Sequence, residues 1–114
     1  MNPEIKSTED FYCDYVLSGK VTVEKVRETD RVLAFYHTHP SYEKHIVIIP
    51  KEHVAKLIDV KDKTLIGEIF GIAEEIIREF GLDGTSYRLV TNGGANQESK
   101  YLHFHLVSGD RVNN

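Results

Sequence analysis

The chain has 114 residues, 40% of them hydrophobic and 28% charged, with a formal net charge of −4, six histidines and one cysteine. That is the size and composition of one soluble globular domain, long enough to bury a core without disulfides. The acidic balance and the lack of a basic cluster argue against a long nucleic acid as partner but not against a single nucleotide, and a lone Cys13 excludes an intramolecular disulfide and fits a reducing, cytoplasmic setting.

The polar start has no apolar signal-peptide core, and no apolar run reaches a membrane span, so no membrane partner is expected. One domain is expected over residues 1–114, with residues 1–9 frayed. Aromatic and apolar residues between Asp10 and Leu17 predict a short helical turn ending near Ser18-Gly19. Val21, Val23 and Val26 predict a strand over roughly residues 22–28, and Glu28-Thr29-Asp30 a turn. Residues 32–36 are a second strand. Residues 37–44 read as a polar loop around Pro40. His45-Ile46-Val47-Ile48-Ile49-Pro50 is β-branched in four places and predicts a central strand stopped by the proline.

A short helical segment is expected over residues 51–59. Asp62 then offers an N-cap for the only long helix, residues 63–80. There Leu65, Ile66, Ile69, Phe70, Ile72, Ala73, Ile76, Ile77 and Phe80 recur at spacings of three and four, a stripe for burial against a sheet. Gly81 is a natural residue to follow the helix. A strand is expected over residues 87–91, then a loop rich in Asn and Gly, then a last strand over residues 101–109. Strands and helices do not alternate regularly. The order therefore predicts an α+β fold: a single antiparallel sheet of about five strands with one long helix packed on it.

The last strand is the most informative stretch. Leu102, Phe104 and Leu106 fall on one side and Tyr101, His103 and His105 on the other, because side chains alternate along an extended chain. One side suits a core. The other can donate, accept, titrate or bind a metal. Upstream, Asn92-Gly93-Gly94-Ala95-Asn96-Gln97 tolerates unusual backbone angles, and the two together make an anion site with a nucleophile beside it. By alternation alone, an edge strand with two exposed histidines is an equal reading. His37 and His39 lie in a polar loop, where solvated histidines are the commoner case.

Several segments carry a resemblance in their order and spacing: Phe11-Tyr12-Cys13, Arg31-Val32-Leu33-Ala34-Phe35, the run from His45 through Pro50-Lys51-Glu52-His53, Arg88-Leu89-Val90-Thr91-Asn92 with its glycines, Gln97, and Leu102-His103-Phe104-His105. Over roughly residues 10–109 the chain resembles the histidine triad (HIT) family, in particular its Hint-like nucleotide hydrolases and transferases. The family pattern is His-x-His-x-His, and here Tyr101 stands first. The resemblance implies His103 as nucleophile, with His105 and His45 as the other catalytic histidines. Asn92 and Gln97 match the phosphate loop. A serine that follows the Gln in the Hint branch is displaced here, since Glu98 comes next and Ser99 after it. Ser99 and Tyr101 remain candidates for the substrate site. His37 falls where many members place an acidic residue on the ribose.

The implied activity is hydrolysis of a nucleoside phosphoramidate or dinucleoside polyphosphate, an AMP or GMP derivative, through a covalent nucleotidyl-histidine. No cofactor is implied, and a homodimer is expected. Some bacterial members bind zinc at positions that read Asp10, Cys13, His53 and Tyr101 here. Two of these are poor zinc ligands, so no metal is expected there. Two other readings stay open: a catalytically weak nucleotide-binding module, given Tyr101, and a metal-dependent hydrolase using His103, His105 and a distant histidine, since His-x-His is also a metal spacing.

Overall fold

The apolar, β-branched runs become the middle of the sheet. The computed structural model describes Tyr12 and residues 16–112. Its five strands are β1 (Lys25–Glu28), β2 (Val32–Tyr36), β3 (Tyr42–Pro50), β4 (Arg88–Val90) and β5 (Phe104–Arg111). They pair antiparallel in the order β1-β2-β3-β5-β4. The long helix α1 (Lys63–Glu79) covers one face. This is the α+β arrangement expected from the sequence.

The helix forms where its signals place it. Asp62 caps it, accepting from the Thr64 N–H at 3.0 Å. The other carboxylate oxygen accepts from Arg31 Nη2 at 3.0 Å, which ties the helix start to the turn before β2. Gly81 follows in the left-handed region at φ 66°, ending the helix as a residue without Cβ can. Leu65, Ile69, Ile72, Ala73 and Ile76 are buried along the helix, against Val32, Ala34, Ile46, Ile48, Leu102, Phe104 and Leu106 of the sheet side. A Leu or Ile to Ala change in such a contact costs about 2–5 kcal/mol. The opposite face has a smaller core of Tyr12, Val16, Leu33, Phe35, Val47, Ile49 and Tyr101.

Several boundaries differ from expectation, each with a cause in the pairing. The first strand starts at Lys25, because Val23 packs on the small core without joining the ladder. Residues 42–44 are strand and not loop: β5 continues to Arg111, which gives Tyr42 and Lys44 partners at Arg111 and Ser108. Of residues 51–59, only Leu57–Asp59 makes a 3-10 turn. The Leu102 N–H donates to Val54 O at 2.7 Å, and Gln97 Nε2 to Ala55 O at 2.6 Å, which draws that segment alongside the approach to β5. Residues 101–103 precede the ladder of β5. At the N-terminus, Val16 and Leu17 are helical and the Gly19 N–H closes back to Val16 O at 3.1 Å. The rest of that expected turn, the frayed start, Asp10 and Cys13 lie outside the described residues.

Candidate active site

Strand parity assembles the site. On the face away from α1, Leu33 and Phe35 of β2 are followed in the same parity by His37. His45 shares the parity of Val47 and Ile49 on β3, and His103 and His105 that of Tyr101. β2, β3 and β5 are neighbours. The His37 N–H donates to His45 O at 2.9 Å, and His105 lies opposite Val47, so the imidazoles converge. Ring centroids are 4.4 Å apart for His37 and His45, 5.0 Å for His45 and His105, and 4.9 Å for His103 and His105.

The hydrogen bonds assign the ring protons, because a backbone N–H can only donate and a carbonyl can only accept. The Ser41 N–H donates to His45 Nδ1 at 3.0 Å, so the neutral His45 carries its hydrogen on Nε2. That Nε2–H donates to His105 Nδ1 at 2.8 Å. His105 therefore holds its own hydrogen on Nε2. His103 is set the opposite way: its Nδ1–H donates to Tyr101 O at 2.8 Å, which puts its lone pair on Nε2. One imidazole is thus a base or nucleophile and its neighbour a donor.

Electrostatics favours the neutral form of His37, His45 and His105. Burial first, then the neighbouring His37, pushes His45 down to about 4. Burial followed by His103, His45 and His37 pushes His105 down to about 3. Burial also lowers His37, with His39 and His103 adding to it. A charge on any one ring disfavours a charge on the next, so at neutral pH the donors are uncharged and in fixed tautomers.

The other expected site residues divide. Ser99 Oγ is withdrawn from solvent with no hydrogen-bond partner, an orphan of the kind that a ligand or water satisfies. Asn92 is exposed, at the start of the loop that turns at Gly94–Asn96. Gln97 spends its amide N–H on Ala55 O. Tyr101, expected against the substrate, is instead fully buried at 0% exposure. Its hydroxyl lies between Pro50 O and Glu52 O, reaching neither His45 nor the open side. A tyrosine flanked by an apolar alternation packs where the small core needs volume, and the two carbonyls satisfy its hydroxyl. His37 joins the cluster, its Nδ1 accepting from the His39 N–H at 2.8 Å. The ring of His53 packs edge-on against Tyr101 at 4.9 Å. Among the described residues, the histidines that could share a metal are His37, His45 and His105, with ligand atoms all within 4.8 Å; this set differs from the one expected around His103.

Three contributors were not among the site residues expected from the sequence. Thr91 Oγ1 donates to His103 O at 2.8 Å, fixing the backbone of that residue. Ser41 sets the His45 tautomer through its main chain, which no side-chain pattern could signal. Tyr12 packs its ring 4.8 Å from that of His103. For Thr91 a signal existed: a hydroxyl at the end of a strand beside the histidine strand.

Known proteins share this fold. The model of the HIT domain matches residues 18–112. The chain belongs to the HIT family. It is 34% identical to the adenosine 5'-monophosphoramidase of Saccharomyces cerevisiae over 105 residues, 89% of this chain and 65% of that protein. Among solved structures, a histidine triad protein from Clostridium difficile superposes with a TM-score of 0.80 at 34% identity, covering 96% of this chain and 98% of its own. A HIT family hydrolase from Legionella pneumophila Philadelphia 1 gives 0.80 at 31% identity, covering 92% and 96%. In this HIT protein the histidine face is the one turned away from the helix, at the sheet's centre.

Proposed function

We propose that the protein is a nucleotidyl hydrolase that acts through a covalent nucleotidyl intermediate on His103 Nε2, without a catalytic metal. The observation that carries this is the opposed pair of tautomers. His103 has its Nδ1–H engaged by Tyr101 O and its lone pair on Nε2, while the Ser41–His45–His105 relay presents a neutral donor beside it. The yeast relative's name, a phosphoramidase of adenosine 5'-monophosphate, supports a nucleoside phosphoramidate as substrate class. A dinucleoside polyphosphate offers the same phosphorus centre.

Attack forms a bond from His103 Nε2 to phosphorus and breaks the P–N or P–O bond, whose electron pair leaves with the amine or phosphate; a departing amine takes up a proton from solvent, which the attacking water of the second step gives back. Water then adds to phosphorus, loses a proton, and displaces Nε2 with its electron pair, releasing the nucleoside monophosphate. Splitting one displacement into two is the gain from covalent catalysis. His105 Nε2–H supplies a donor to the charge on the phosphoryl oxygens, where such donors are worth most. Ser99 Oγ, Asn92 and the backbone around Gly94 are the further donors on that side, and His37 is a substrate-facing residue at the far end of the cluster.

Tyr101 occupies the first triad position and serves the site from behind. Its hydroxyl is turned away and its carbonyl holds His103. This favours turnover over a binding-only module. A homodimer in the cytoplasm is part of the proposal: the short edge strand β4 and the exposed Phe70, Tyr87 and Val90 are suited to cover a second copy. Among the described residues no helix is long and apolar enough to cross a membrane.

The test is capture of the labelled intermediate on denaturing gels after mixing with an adenosine or guanosine phosphoramidate, with chelator present. His103→Ala abolishes the label. His105→Ala still labels, but its turnover falls by about 10²–10³, as for loss of one transition-state donor. Wild-type turnover by His103→Ala rejects the assignment.

A further inference from the structure

We infer that His37, His45 and His105 form a binding site for a single borderline transition-metal dication, of the zinc, nickel or copper type, and that this site and the Ser41–His45–His105 relay exclude one another. The first observation is the geometry: one ring nitrogen from each residue lies within 4.8 Å of the other two. The second is the donor set. Three imidazoles with no carboxylate among them suit borderline dications and not calcium or magnesium, which take oxygen ligands. The third is the support. His45 and His105 lie in paired strands at the sheet's centre, and His37 follows β2 directly with its own N–H bonded to His45 O. Two of the three ligands are therefore held by the fold before any ion arrives.

The movements required are small. Zinc–imidazole bonds of about 2.0–2.1 Å place tetrahedral nitrogens about 3.4 Å apart. His45 Nε2 and His105 Nδ1, at 2.8 Å, have to part slightly. His37, at the mouth of the turn over residues 37–41, has to close in.

The protons decide the exclusion. Coordination through His45 Nε2 requires its hydrogen on Nδ1, where the Ser41 N–H now points, so Ser41 has to turn away. His105 coordinates through Nδ1, the atom that now accepts from His45, and keeps its hydrogen on Nε2. Either nitrogen of His37 gives up the contact with the His39 N–H. All three rings stay neutral and no proton is released overall. The metal thus replaces the His45–His105 hydrogen bond and remakes the turn over residues 37–41. His103 lies outside the ligand set, so the site stands or falls apart from its role as nucleophile.

The experiment titrates zinc into the full chain after chelator treatment and desalting, with calorimetry for affinity and stoichiometry. Copper is used in a parallel spin-resonance measurement to count nitrogen ligands. One saturable ion per chain is expected, with three equivalent imidazole nitrogens. His37→Gln, His45→Gln and His105→Gln each weaken binding by more than the about 10–100-fold that loss of a mere supporting partner costs. His103→Gln, His39→Gln, His53→Gln and Cys13→Ser bind as the parent does. Nitrogen-15 spectra of the imidazoles show His45 moving its hydrogen from Nε2 to Nδ1 on zinc addition. The His37→Gln chain, altered only in the turn, guards against loss of fold, checked by its melting curve. Binding that survives His37→Gln, binding that disappears with Cys13→Ser or His53→Gln, no saturable binding, or an unchanged His45 tautomer at saturation each overturns the proposal.

Discussion

Removing the Tyr101 hydroxyl tests whether that side chain supports the site from behind or touches the substrate. In Tyr101→Phe the ring remains, so the small core of Phe35, Val47 and Ile49 keeps its volume. What is lost is one buried donor shared by Pro50 O and Glu52 O. A net hydrogen bond is worth about 0.5–1.5 kcal/mol, and a buried acceptor left unpaired adds to that, so about 1–2 kcal/mol is expected. At an unfolding entropy of about 2.1 cal/mol/K per residue, 114 residues give about 240 cal/mol/K. The melting temperature should then fall by about 4–8 °C. Turnover should fall less than about tenfold, because the Tyr101 carbonyl that holds His103 Nδ1 is retained and no transition-state donor is removed. The assays are a thermal melt by circular dichroism and steady-state hydrolysis, run on the same preparation. An unchanged melting temperature with turnover reduced more than about a hundredfold would place the hydroxyl on the substrate and refute the reasoning.

Other outcomes follow from the same geometry. Because burial holds His45 near about 4 and His105 near about 3, the unfolded chain, with imidazoles near about 6.5, binds more protons than the folded one as pH falls below that value. Their stabilising contribution is therefore complete above about pH 6.5 and is lost progressively towards about pH 3; urea titrations across that window should show falling stability, with a shallower slope in His105→Gln. Ile76→Ala removes a fully buried contact at the centre of the helix stripe and should cost about 2–5 kcal/mol by denaturant titration, whereas Ile58→Ala, at an 87% exposed position, should leave stability unchanged. Light scattering should give twice the chain mass, and Tyr87→Glu with Val90→Glu on the β4 edge should shift it to the chain mass; a parent protein that is already a monomer at working concentration counts against the dimer.

The sequence is most legible where periodicity and chemistry coincide. Alternation from Tyr101 to Val107 separates Leu102, Phe104 and Leu106 from Tyr101, His103 and His105, and those two sets do lie on opposite faces. The helix can be read almost to the residue because Asp62, the apolar stripe and Gly81 signal its start, face and end independently. Legibility fails where partners far along the chain decide the outcome. Residues 42–44 look like loop until β5 extends past them. Tyr101 looks like a site residue by parity alone. Parity tells a side chain's face but not its depth, and at the N-terminal approach to β5 that face is filled by Tyr12, Phe35, Val47 and Ile49. Ser41 and Thr91 act through single hydrogen bonds to histidines on neighbouring strands, which leave no periodic trace.

The helix-side core also fixes the site it does not touch. A slip of one residue in β5 against β3 exchanges the faces of every side chain, since the strand period is two. His103 and His105 would then turn towards α1, and Phe104 and Leu106 would leave it. In the observed register, Phe104 and Leu106 lie opposite Ile48 and Ile46 and share their cluster with Ile69 and Ile76. Exposing those two side chains costs about 1.5–3 kcal/mol each, before the penalty of burying two imidazoles without partners. The irregularity in this pairing falls between Tyr42 and Lys44, at the far end from His105, so the ladder absorbs its extra residue away from the rings. The apolar half of the alternation therefore holds the His45–His105 hydrogen bond in place. Substitutions under the helix that loosen this register should disturb the tautomers on the opposite face before they unfold the sheet.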